Sequence, residues 1–388
     1  MLAELSKQDR IPLSIYVHIP WCIHKCPYCD FNSHEFQQQD IKKNELIYTN
    51  ALIKQLESTN ISCQRPIHSI FFGGGTPSLF SPATFRKIIT KINNTFGLEK
   101  NCEITIEVNP GTLDNQYFLG YKDIGINRMS LGIQSFNNKH LKKLERIHNQ
   151  LEAIESANLA VKLFDKVNID LMFGLPGQTK LELDNDITMA LEINSSHISY
   201  YHLTIEPNTF FHKHPPKIPN QDESAELFDL VNTKLKKNNF LHYETSAYAK
   251  KGSECQHNLN YWNFGDYLGL GAGAHSKITT EESILRYACH KNPKYYISEV
   301  NKNNYINEEK LLTTNDRIFE FMMNSLRLSD GFQINSFEER TNLPIKEIEK
   351  ELSTAKNKKL IKEINGRIKP TILGQKFLND LLQIFLRG

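Results

Sequence analysis

Short runs rich in β-branched and aromatic residues alternate with longer amphipathic stretches from residue 11 to about residue 205. The short runs have the length and composition of strands, and the six candidates are Ser14–Ile19, Ile67–Phe72, Glu103–Val108, Asn127–Ile133, Val167–Met172 and His197–Thr204. The longer stretches space their apolar residues as helices do, as in Ile41–Glu57, Pro82–Thr95, Gln178–Ile193 and Glu223–Asn238. This order predicts an α/β fold built around a parallel sheet.

Six consecutive βα units within residues 1–240 predict an incomplete barrel of TIM type, a partial (β/α)6 barrel. A doubly wound sheet with helices on both faces is the alternative. In both architectures ligands bind where the strands end and the loops begin. Functional side chains are therefore expected at the carboxyl ends of the six strands.

The pattern changes twice after the sixth unit. Residues 241–310 are richer in Gly, Tyr, His and Asn, as in Gly269–His275, and predict a connecting segment of irregular loops with one or two strands. Residues 311–388 begin with three short helical patterns, which are Asp316–Leu328, Ile334–Thr341 and Pro344–Lys356. A hairpin with its turn at Asn365-Gly366 follows, and then a last amphipathic helix. Together these elements predict a small winged-helix-like α+β domain.

Composition and charge narrow the class of protein. With 388 residues, of which 39% are hydrophobic and 23% charged, the chain suits one large and one smaller domain and lies outside the disordered and coiled-coil classes. A formal charge of +2 is too small for a surface built wholly to hold nucleic acid. Lysines near the hairpin, such as Lys356 and Lys369, are interleaved with glutamates and indicate a solvated face. No nucleic-acid partner is expected.

The sequence has no run of the roughly 18 apolar residues that a membrane helix needs. The first ten residues carry charges where a signal peptide would be apolar. We therefore expect a cytoplasmic protein. Its seven cysteines, an odd number spread over a long chain, indicate free thiols or metal ligands rather than a disulfide framework.

Three of these cysteines lie close together, directly after the first predicted strand. Cys22, Cys26 and Cys29 place three thiols within eight residues. A cubane iron–sulfur cluster normally takes four thiolates, so three leave one iron open for another ligand. A zinc site completed by His24 or His34, or thiols without a shared role, are the alternatives.

Six segments at predicted strand ends carry a resemblance to a known family. They are Tyr16–His34, Phe71–Phe80, Ile106–Gly111, Leu131–Asn137, Arg146–Asn149 and Asp170–Thr179. In this order they resemble the radical S-adenosylmethionine proteins, in the group that contains oxygen-independent coproporphyrinogen III oxidase. The resemblance implies a [4Fe–4S] cluster on Cys22, Cys26 and Cys29, with S-adenosylmethionine bound beside it.

The resemblance also implies which residues bind S-adenosylmethionine, namely Gly74, Gly75, Thr76, Glu107, Gln134, Arg146 and Asp170. Glycines let the backbone approach a ligand closely, and the amide, guanidinium and carboxylates can hold ribose hydroxyls and charged groups. From the residues alone, the alternative for Glu107 is a solvent-exposed carboxylate without a ligand, and the alternative for Arg146 is a place on a solvent-exposed helix face. Tyr16 and Tyr28 flank the thiols as candidate contacts of the adenine or the cluster.

Phe31 marks a departure from the oxidase, which has a further cysteine at this place. The short stretch before Tyr16 and the motif His257–Trp262 (HNLNYW) are instead similar to the HemW-type heme chaperones, a closely related family. That resemblance implies a heme chaperone rather than an enzyme, which binds heme and transfers it to hemoproteins such as respiratory enzymes. The alternative is the oxidase reaction, the decarboxylation of coproporphyrinogen III to protoporphyrinogen IX.

His257 is the candidate axial ligand of heme iron, because it offers an imidazole beside two aromatic side chains. A hydrogen-bonded structural histidine is the alternative reading, and Cys255 is a rival ligand. The expected partners are heme and the recipient hemoproteins, with at most peripheral membrane contact through those recipients. A homodimer is left open.

Overall fold

The computed structural model describes residues 10–35, 41–59, 65–111 and 115–387. The strands of these residues are β1 (Leu13–Ile19), β2 (Trp21–Cys22), β3 (His34–Glu35), β4 (Ile67–Gly74), β5 (Leu98–Val108), β6 (Arg128–Gln134), β7 (Lys166–Phe173), β8 (His197–His202), β9 (Leu241–Glu244), β10 (Ala247–Ala249), β11 (Asp266–Leu270), β12 (His275–Thr279), β13 (Ile284–Cys289), β14 (Ile306–Leu311), β15 (Phe332–Gln333), β16 (Ile361–Ile364) and β17 (Arg367–Pro370). The α-helices are Ile41–Ser58, Pro82–Phe96, Phe118–Asp123, Asn138–Lys143, Gln150–Leu163, Lys180–Ile193, Phe210–Lys213, Gln221–Lys237, Gln256–Trp262, Pro293–Val300, Thr314–Ser325, Ile334–Thr341, Glu349–Asn357, Ile372–Lys376 and Leu378–Gln383.

The six predicted strands correspond to β1 and β4–β8, which pair in the order β1-β4-β5-β6-β7-β8. Every pair in this series is parallel. The spatial order therefore follows the chain order without the reversal that a doubly wound sheet requires. The predicted α/β fold with a partial barrel is confirmed, and the doubly wound alternative is wrong.

The helices around this sheet begin where the sequence supplies caps. In four of them an Asn or Thr at the N-cap and a Glu or Asp three residues later satisfy each other's backbone N–H groups. Such a cap stabilises a helix by about 1 kcal/mol. The helix Pro82–Phe96 starts with proline after Ser81 and buries Phe85, Ile88, Ile89 and Ile92, one apolar face turned to the core. Local sequence thus determines both the start of these helices and the face they bury.

The middle segment differs from the prediction, because it contains six strands rather than one or two. β11 is fully buried and pairs in parallel with β1, and β12–β14 extend the sheet from there. β10 and β9 extend its other end beyond β8. The strand β11 was not predicted because it contains glycine, which is uncommon in strands. At Gly269 the fold requires it, since a Cβ there would lie 2.2 Å from the His275 carbonyl oxygen. Close backbone packing, not a loop, requires glycine there.

The C-terminal segment has the predicted short helices and hairpin. β16 and β17 form the hairpin, with positive φ angles at Asn365 and Gly366, and β15 adds a third strand. Phe321, Phe332 and Phe337 pack in a core cluster separate from that of the barrel. None of the described helices is both long and apolar enough to cross a membrane.

Candidate functional site at the mouth of the barrel

The three clustered cysteines lie on the loop after β1, at the carboxyl ends of the parallel strands. Cys22, Cys26 and Cys29 line a cavity of about 330 Å³ there. The loop is held in place by pairing of β2 with β3 and by a hydrogen bond between His18 Nε2 and the Asn32 carbonyl oxygen at 2.9 Å. The first parallel strand therefore carries the thiols into the barrel mouth.

The thiols suit a cluster better than a single metal ion. No three His, Cys, Asp or Glu side chains in the described ranges are arranged to hold one metal ion. Both nitrogens of His24 face carboxylates, Glu35 at 3.3 Å and Glu145 at 3.0 Å. In a cubane each thiolate binds a different iron, so its three ligands do not converge on one point. The donor set therefore fits a [4Fe–4S] cluster and disfavours the zinc alternative.

Burial raises the pKa of the Cys22 and Cys29 thiols. Thiolates are nevertheless the ligands that metals require, and a bound cationic centre offsets such a shift. The Cys29 N–H donates to the Cys26 carbonyl oxygen at 3.1 Å, which closes a tight turn between the two. The turn presents both side chains to the same cavity.

A glycine turn at the end of β4 forms the next wall of the cavity. Gly74 has a φ of +115°, and its N–H donates to Glu107 Oε2 at 3.1 Å. A Cβ on Gly75 would lie 2.5 Å from the Trp21 carbonyl oxygen, so only glycine fits against the cysteine loop. Thr76 follows, and its N–H donates to that carbonyl at 2.7 Å. The turn places the end of β4 directly beside the thiols.

Two half-buried carboxylates, Glu107 and Asp170, line the cavity. Asp170 accepts hydrogen bonds from Ser130 Oγ and Asn168 Nδ2, both at 2.8 Å. Burial raises the pKa of Asp170. Burial and the charge of Asp170 raise the pKa of Glu107 to about 8. A cationic or hydroxyl-bearing ligand placed between these carboxylates would relieve their desolvation and repulsion.

Arg146 joins the thiols to the opposite wall. Its Nη2 donates to Asn109 Oδ1 and to the Gly132 carbonyl oxygen, each at 2.7 Å, and Nη1 lies 3.5 Å from Cys26 Sγ. Its Nε is buried and has no hydrogen-bond partner in the part of the chain that the structure describes. An unsatisfied buried donor indicates an acceptor that is supplied by a ligand. The carboxylate of S-adenosylmethionine is an acceptor of the kind that Arg146 Nε lacks.

The structure brings most of the predicted site residues together. The cavity is lined by Tyr28, Gly74, Gly75, Thr76, Glu107, Gln134, Arg146 and Asp170 as well as by the three cysteines. Gln134 has a φ of 70°, a strained conformation for a residue other than glycine, at the end of β6. These positions lie on or after five parallel strands, β1 and β4–β7, that are far apart in sequence.

Tyr16 and His257 lie elsewhere. The Tyr16 hydroxyl is bound to His18 Nδ1 at 3.0 Å, and its ring lies inside the barrel against Phe71, below the lining of the cavity. His257 is on the helix Gln256–Trp262, which packs at the amino end of β4. Its Nδ1 is 3.1 Å from Ser69 Oγ, and its ring centroid is 5.1 Å from that of Phe71. The imidazole thus belongs to the floor of the barrel, at the opposite end from the thiols.

Sequence reasoning missed several residues that organise the cavity. Asn109 Nδ2 donates to Thr76 Oγ1 at 3.0 Å, so this amide connects Thr76 with Arg146. Ser130 and Asn168 hold Asp170. Each lies on or directly after a parallel strand, and Asn109 stands within a segment that carried the family resemblance. Their position at strand ends was a signal available in the sequence. The sequence does not show which side chains on other strands they contact.

Glu107→Gln is expected to stabilise the cofactor-free protein at high pH. The pKa of Glu107 is about 8 in the folded protein and 4.5 in an unfolded chain, so the folded state favours the protonated side chain. The contribution of Glu107 to stability is therefore complete below pH 4.5 and is lost as the pH rises through 8. Glutamine keeps an oxygen for the Gly74 N–H and has no charge to desolvate. From these two pKa values, the gain in the free energy of unfolding is expected to be roughly 3 kcal/mol larger at pH 9 than at pH 5.5. Chemical denaturation at both pH values measures it, with exposed Glu155→Gln as the control, and a pH-independent gain would contradict the assignment.

Comparison with known proteins agrees with this geometry. Residues 16–190 match the Radical SAM superfamily, and residues 312–377 match the HemN C-terminal domain. Heme chaperone HemW of Haemophilus influenzae is 45% identical over 382 residues, which cover 97% of this chain and 98% of that protein. Heme chaperone HemW of Escherichia coli is 40% identical over 378 residues, with coverage of 97% and 98%.

The fold is similar to that of the radical SAM enzyme coproporphyrinogen III oxidase (HemN) from Escherichia coli. The TM-score is 0.81 over 98% of this chain and 91% of that one, at 22% sequence identity. At this identity the likeness concerns the fold alone. Membership of the Radical SAM superfamily implies a [4Fe–4S] cluster and S-adenosylmethionine as cofactors. The full-length identity to the chaperones is higher, and the chain belongs to the HemW family of the radical SAM superfamily.

Proposed function

We propose that this protein is a heme chaperone, which binds heme and transfers it to hemoproteins such as respiratory enzymes. The observation that carries the proposal is the match, over 97% of the chain, to relatives named heme chaperone HemW. The mouth of the barrel supports the cofactors that accompany this function. There we propose a [4Fe–4S] cluster and S-adenosylmethionine.

Each cofactor has residues suited to it. Cys22, Cys26 and Cys29 would hold the cluster and leave one iron for the amino and carboxylate groups of S-adenosylmethionine. Gly74, Gly75 and Thr76 line the cavity beside the cysteines and would meet its methionine end, because glycines let a ligand approach the backbone closely. When bound, the pair supplies one-electron chemistry. The protein orients both groups and shields them from water.

The charged side chains divide the remaining tasks. Arg146 offers its unpartnered Nε to the carboxylate, and Glu107 offers an oxygen to the amino group. Asp170, Gln134 and Tyr28 line the part of the cavity where the ribose and adenine would lie. Because these groups are half-buried in a cavity, their hydrogen bonds to a ligand would be stronger than in water.

The oxidase reaction is the alternative, and the site does not favour it. Similarity to HemN at 22% identity extends to the fold and not to the reaction. Phe31 lines the mouth cavity and is 58% exposed, at the position where the resemblance to the oxidase family implies a further cysteine. An exposed phenyl ring cannot replace a thiol in redox or ligand chemistry. A flat apolar ligand could instead stack on it.

The role of His257 as an axial ligand of heme iron stays a prediction. The ring of His257 is packed against Phe71, and its Nδ1 lies within hydrogen-bond distance of Ser69 Oγ. Access of a porphyrin to Nε2 therefore requires the helix Gln256–Trp262 to move away from the barrel floor. Cys255 is buried at the start of the same helix, and burial raises its pKa to about 12, which makes its thiolate scarce.

Parallel assays separate the chaperone from the oxidase. Protein reconstituted anaerobically with iron and sulfide is titrated with hemin, and a second portion is incubated with coproporphyrinogen III, S-adenosylmethionine and a reductant. HemN of Escherichia coli serves as the positive control for turnover. We expect saturable hemin binding and no protoporphyrinogen IX. Robust formation of protoporphyrinogen IX would assign the oxidase reaction instead.

A further inference from the structure

A second cavity of about 660 Å³ lies outside the site described above. Its walls are the loop after β7, the segment Lys217–Pro219 and the first turns of the helix Gln221–Lys237. Its volume is within the range of about 300–1,000 Å³ that is typical of small-molecule sites. The cavity is therefore large enough for an organic ligand.

The side-chain amide of Gln178 has a buried nitrogen that lacks an acceptor in the described part of the chain. The side chain lines the cavity and is only 7% exposed. Its Oε1 accepts the Leu175 N–H at 3.3 Å, which fixes the orientation of the amide. Its Nε2 is buried and has no hydrogen-bond partner among the described residues. A buried donor without a partner is rare in folded proteins and indicates an acceptor brought by a ligand.

Two lysines add positive charge that no carboxylate neutralises. Lys143 Nζ donates to the Pro176 carbonyl oxygen at 2.6 Å, and neither Lys143 nor Lys217 forms an ion pair with any residue that the structure describes. The third lysine of the cavity, Lys180, is paired with Glu226 at 2.5 Å. The other carboxylate, that of Glu223, accepts the Asn220 N–H in a helix cap. Among the described residues, the cavity thus offers two ammonium groups that have no carboxylate partner and one side-chain amide nitrogen that has no acceptor.

The remaining wall is apolar. Pro176, Ile218, Pro219 and Leu227 line it, and Leu227 is buried. An inorganic anion would leave this surface unused, whereas an apolar body that carries carboxylates would cover it. The lining contains no His, Cys, Met or Tyr side chain. Recognition in this cavity therefore does not depend on a metal centre of the ligand.

The cavity also adjoins the mouth. A cluster of buried residues that includes Leu175, Leu203 and Phe211 lies between the two cavities, since Leu203 lines the mouth and Ile218, which packs on the cluster, lines the second cavity. The Phe211 N–H donates to the Pro27 carbonyl oxygen at 2.9 Å, within the cysteine loop. A ligand here would lie beside the segment that supports the proposed cluster.

We infer that this second cavity binds a porphyrin through its carboxylates, with Lys143, Lys217 and Gln178 as the carboxylate donors. The inference rests on the proposed function, which supplies heme, with its two propionates, as a ligand of this class. It places the propionates at the amide and the lysines, and the ring against Ile218 and Pro219, the two apolar lining residues that are partly exposed. The inference does not use His257, whose predicted contact with heme iron would be a separate site at the barrel floor.

The test uses the full-length reconstituted protein and two probes, hemin and iron-free protoporphyrin IX. We expect both to bind, and the Lys143→Gln/Lys217→Gln double variant to weaken both by about tenfold. Gln178→Glu keeps an acceptor for the Leu175 N–H but turns the free donor into a carboxylate, and we expect a similar loss. Lys142→Gln/Lys213→Gln removes the same charge from neighbouring exposed lysines outside the cavity and is the matched control.

Two control measurements and two contradicting outcomes complete the test. The dimethyl ester of protoporphyrin IX should bind wild type and double variant alike, because it has no carboxylates to lose. His257→Ala should leave the affinity for iron-free protoporphyrin IX unchanged, whatever it does to the hemin spectrum. Equal hemin affinity in wild type, double variant and control contradicts the inference alone, whereas a wild type that binds no hemin contradicts the proposed function and the inference together.

Discussion

Replacing Cys22, Cys26 and Cys29 together by alanine is expected to leave a folded protein with essentially no iron or acid-labile sulfide after anaerobic reconstitution. The three thiols are the candidate cluster ligands that line the mouth cavity, and a cubane without thiolates has nothing to hold it. Because the open iron is lost as well, we expect the affinity for S-adenosylmethionine to fall at least about tenfold. Iron and sulfide analysis, electron paramagnetic resonance and calorimetry measure these losses.

The control variants are Cys102→Ala and Cys289→Ala. Both side chains are buried in the barrel core, and burial raises the pKa of each thiol to about 12, so neither supplies a ready thiolate. These variants should keep the wild-type iron and sulfide content. A triple variant that also keeps it, or a wild type that contains stoichiometric zinc without iron and sulfide, would overturn the cluster assignment.

Arg146→Met is expected to weaken S-adenosylmethionine binding by roughly 2–3 kcal/mol, because a buried charged donor is removed from the ligand carboxylate. The change also deprives Asn109 Oδ1 and the Gly132 carbonyl oxygen of their donor at 2.7 Å. Arg146→Lys should not restore affinity, since a single ammonium group cannot replace the planar fork that reaches three acceptors. Calorimetry on protein with a verified iron content gives the affinity.

Arg86→Met is the control for this second experiment. Arg86 is exposed on the helix Pro82–Phe96, away from the cavity lining, and its loss should not change the affinity. If Arg146→Met binds S-adenosylmethionine as tightly as the wild type, Arg146 does not contact the ligand. Its role would then be confined to connecting Cys26 with Asn109.

The barrel was predictable because its elements are long, periodic and capped. The predicted strand Ser14–Ile19 corresponds to Leu13–Ile19, and the predicted helix Pro82–Thr95 corresponds to Pro82–Phe96. The strand β11 escaped prediction, because its position beside β1 depends on pairing between residues about 250 apart in the chain. Glycines that serve this close packing read as loop residues in the sequence alone.

The candidate site was predictable where chemistry is concentrated in motifs, as at Cys22 and Gly74. Its supporting contacts were not, since Asn109 acquires its role only when the strand ends meet and Thr76 and Arg146 come within reach. The same limit applies to His257. A motif of His, Asn and aromatic residues predicts binding chemistry, but not that its helix packs under the barrel floor.

Heme transfer to an acceptor tests the central claim most directly. Reconstituted protein loaded with one equivalent of hemin is mixed anaerobically with increasing concentrations of an apo-hemoprotein, and the Soret band of the acceptor is followed in time. A chaperone hands heme over in a complex with its recipient, so the account predicts a transfer rate that rises with acceptor concentration and exceeds the rate of release to a passive heme scavenger. A rate that equals passive release at every acceptor concentration would contradict it.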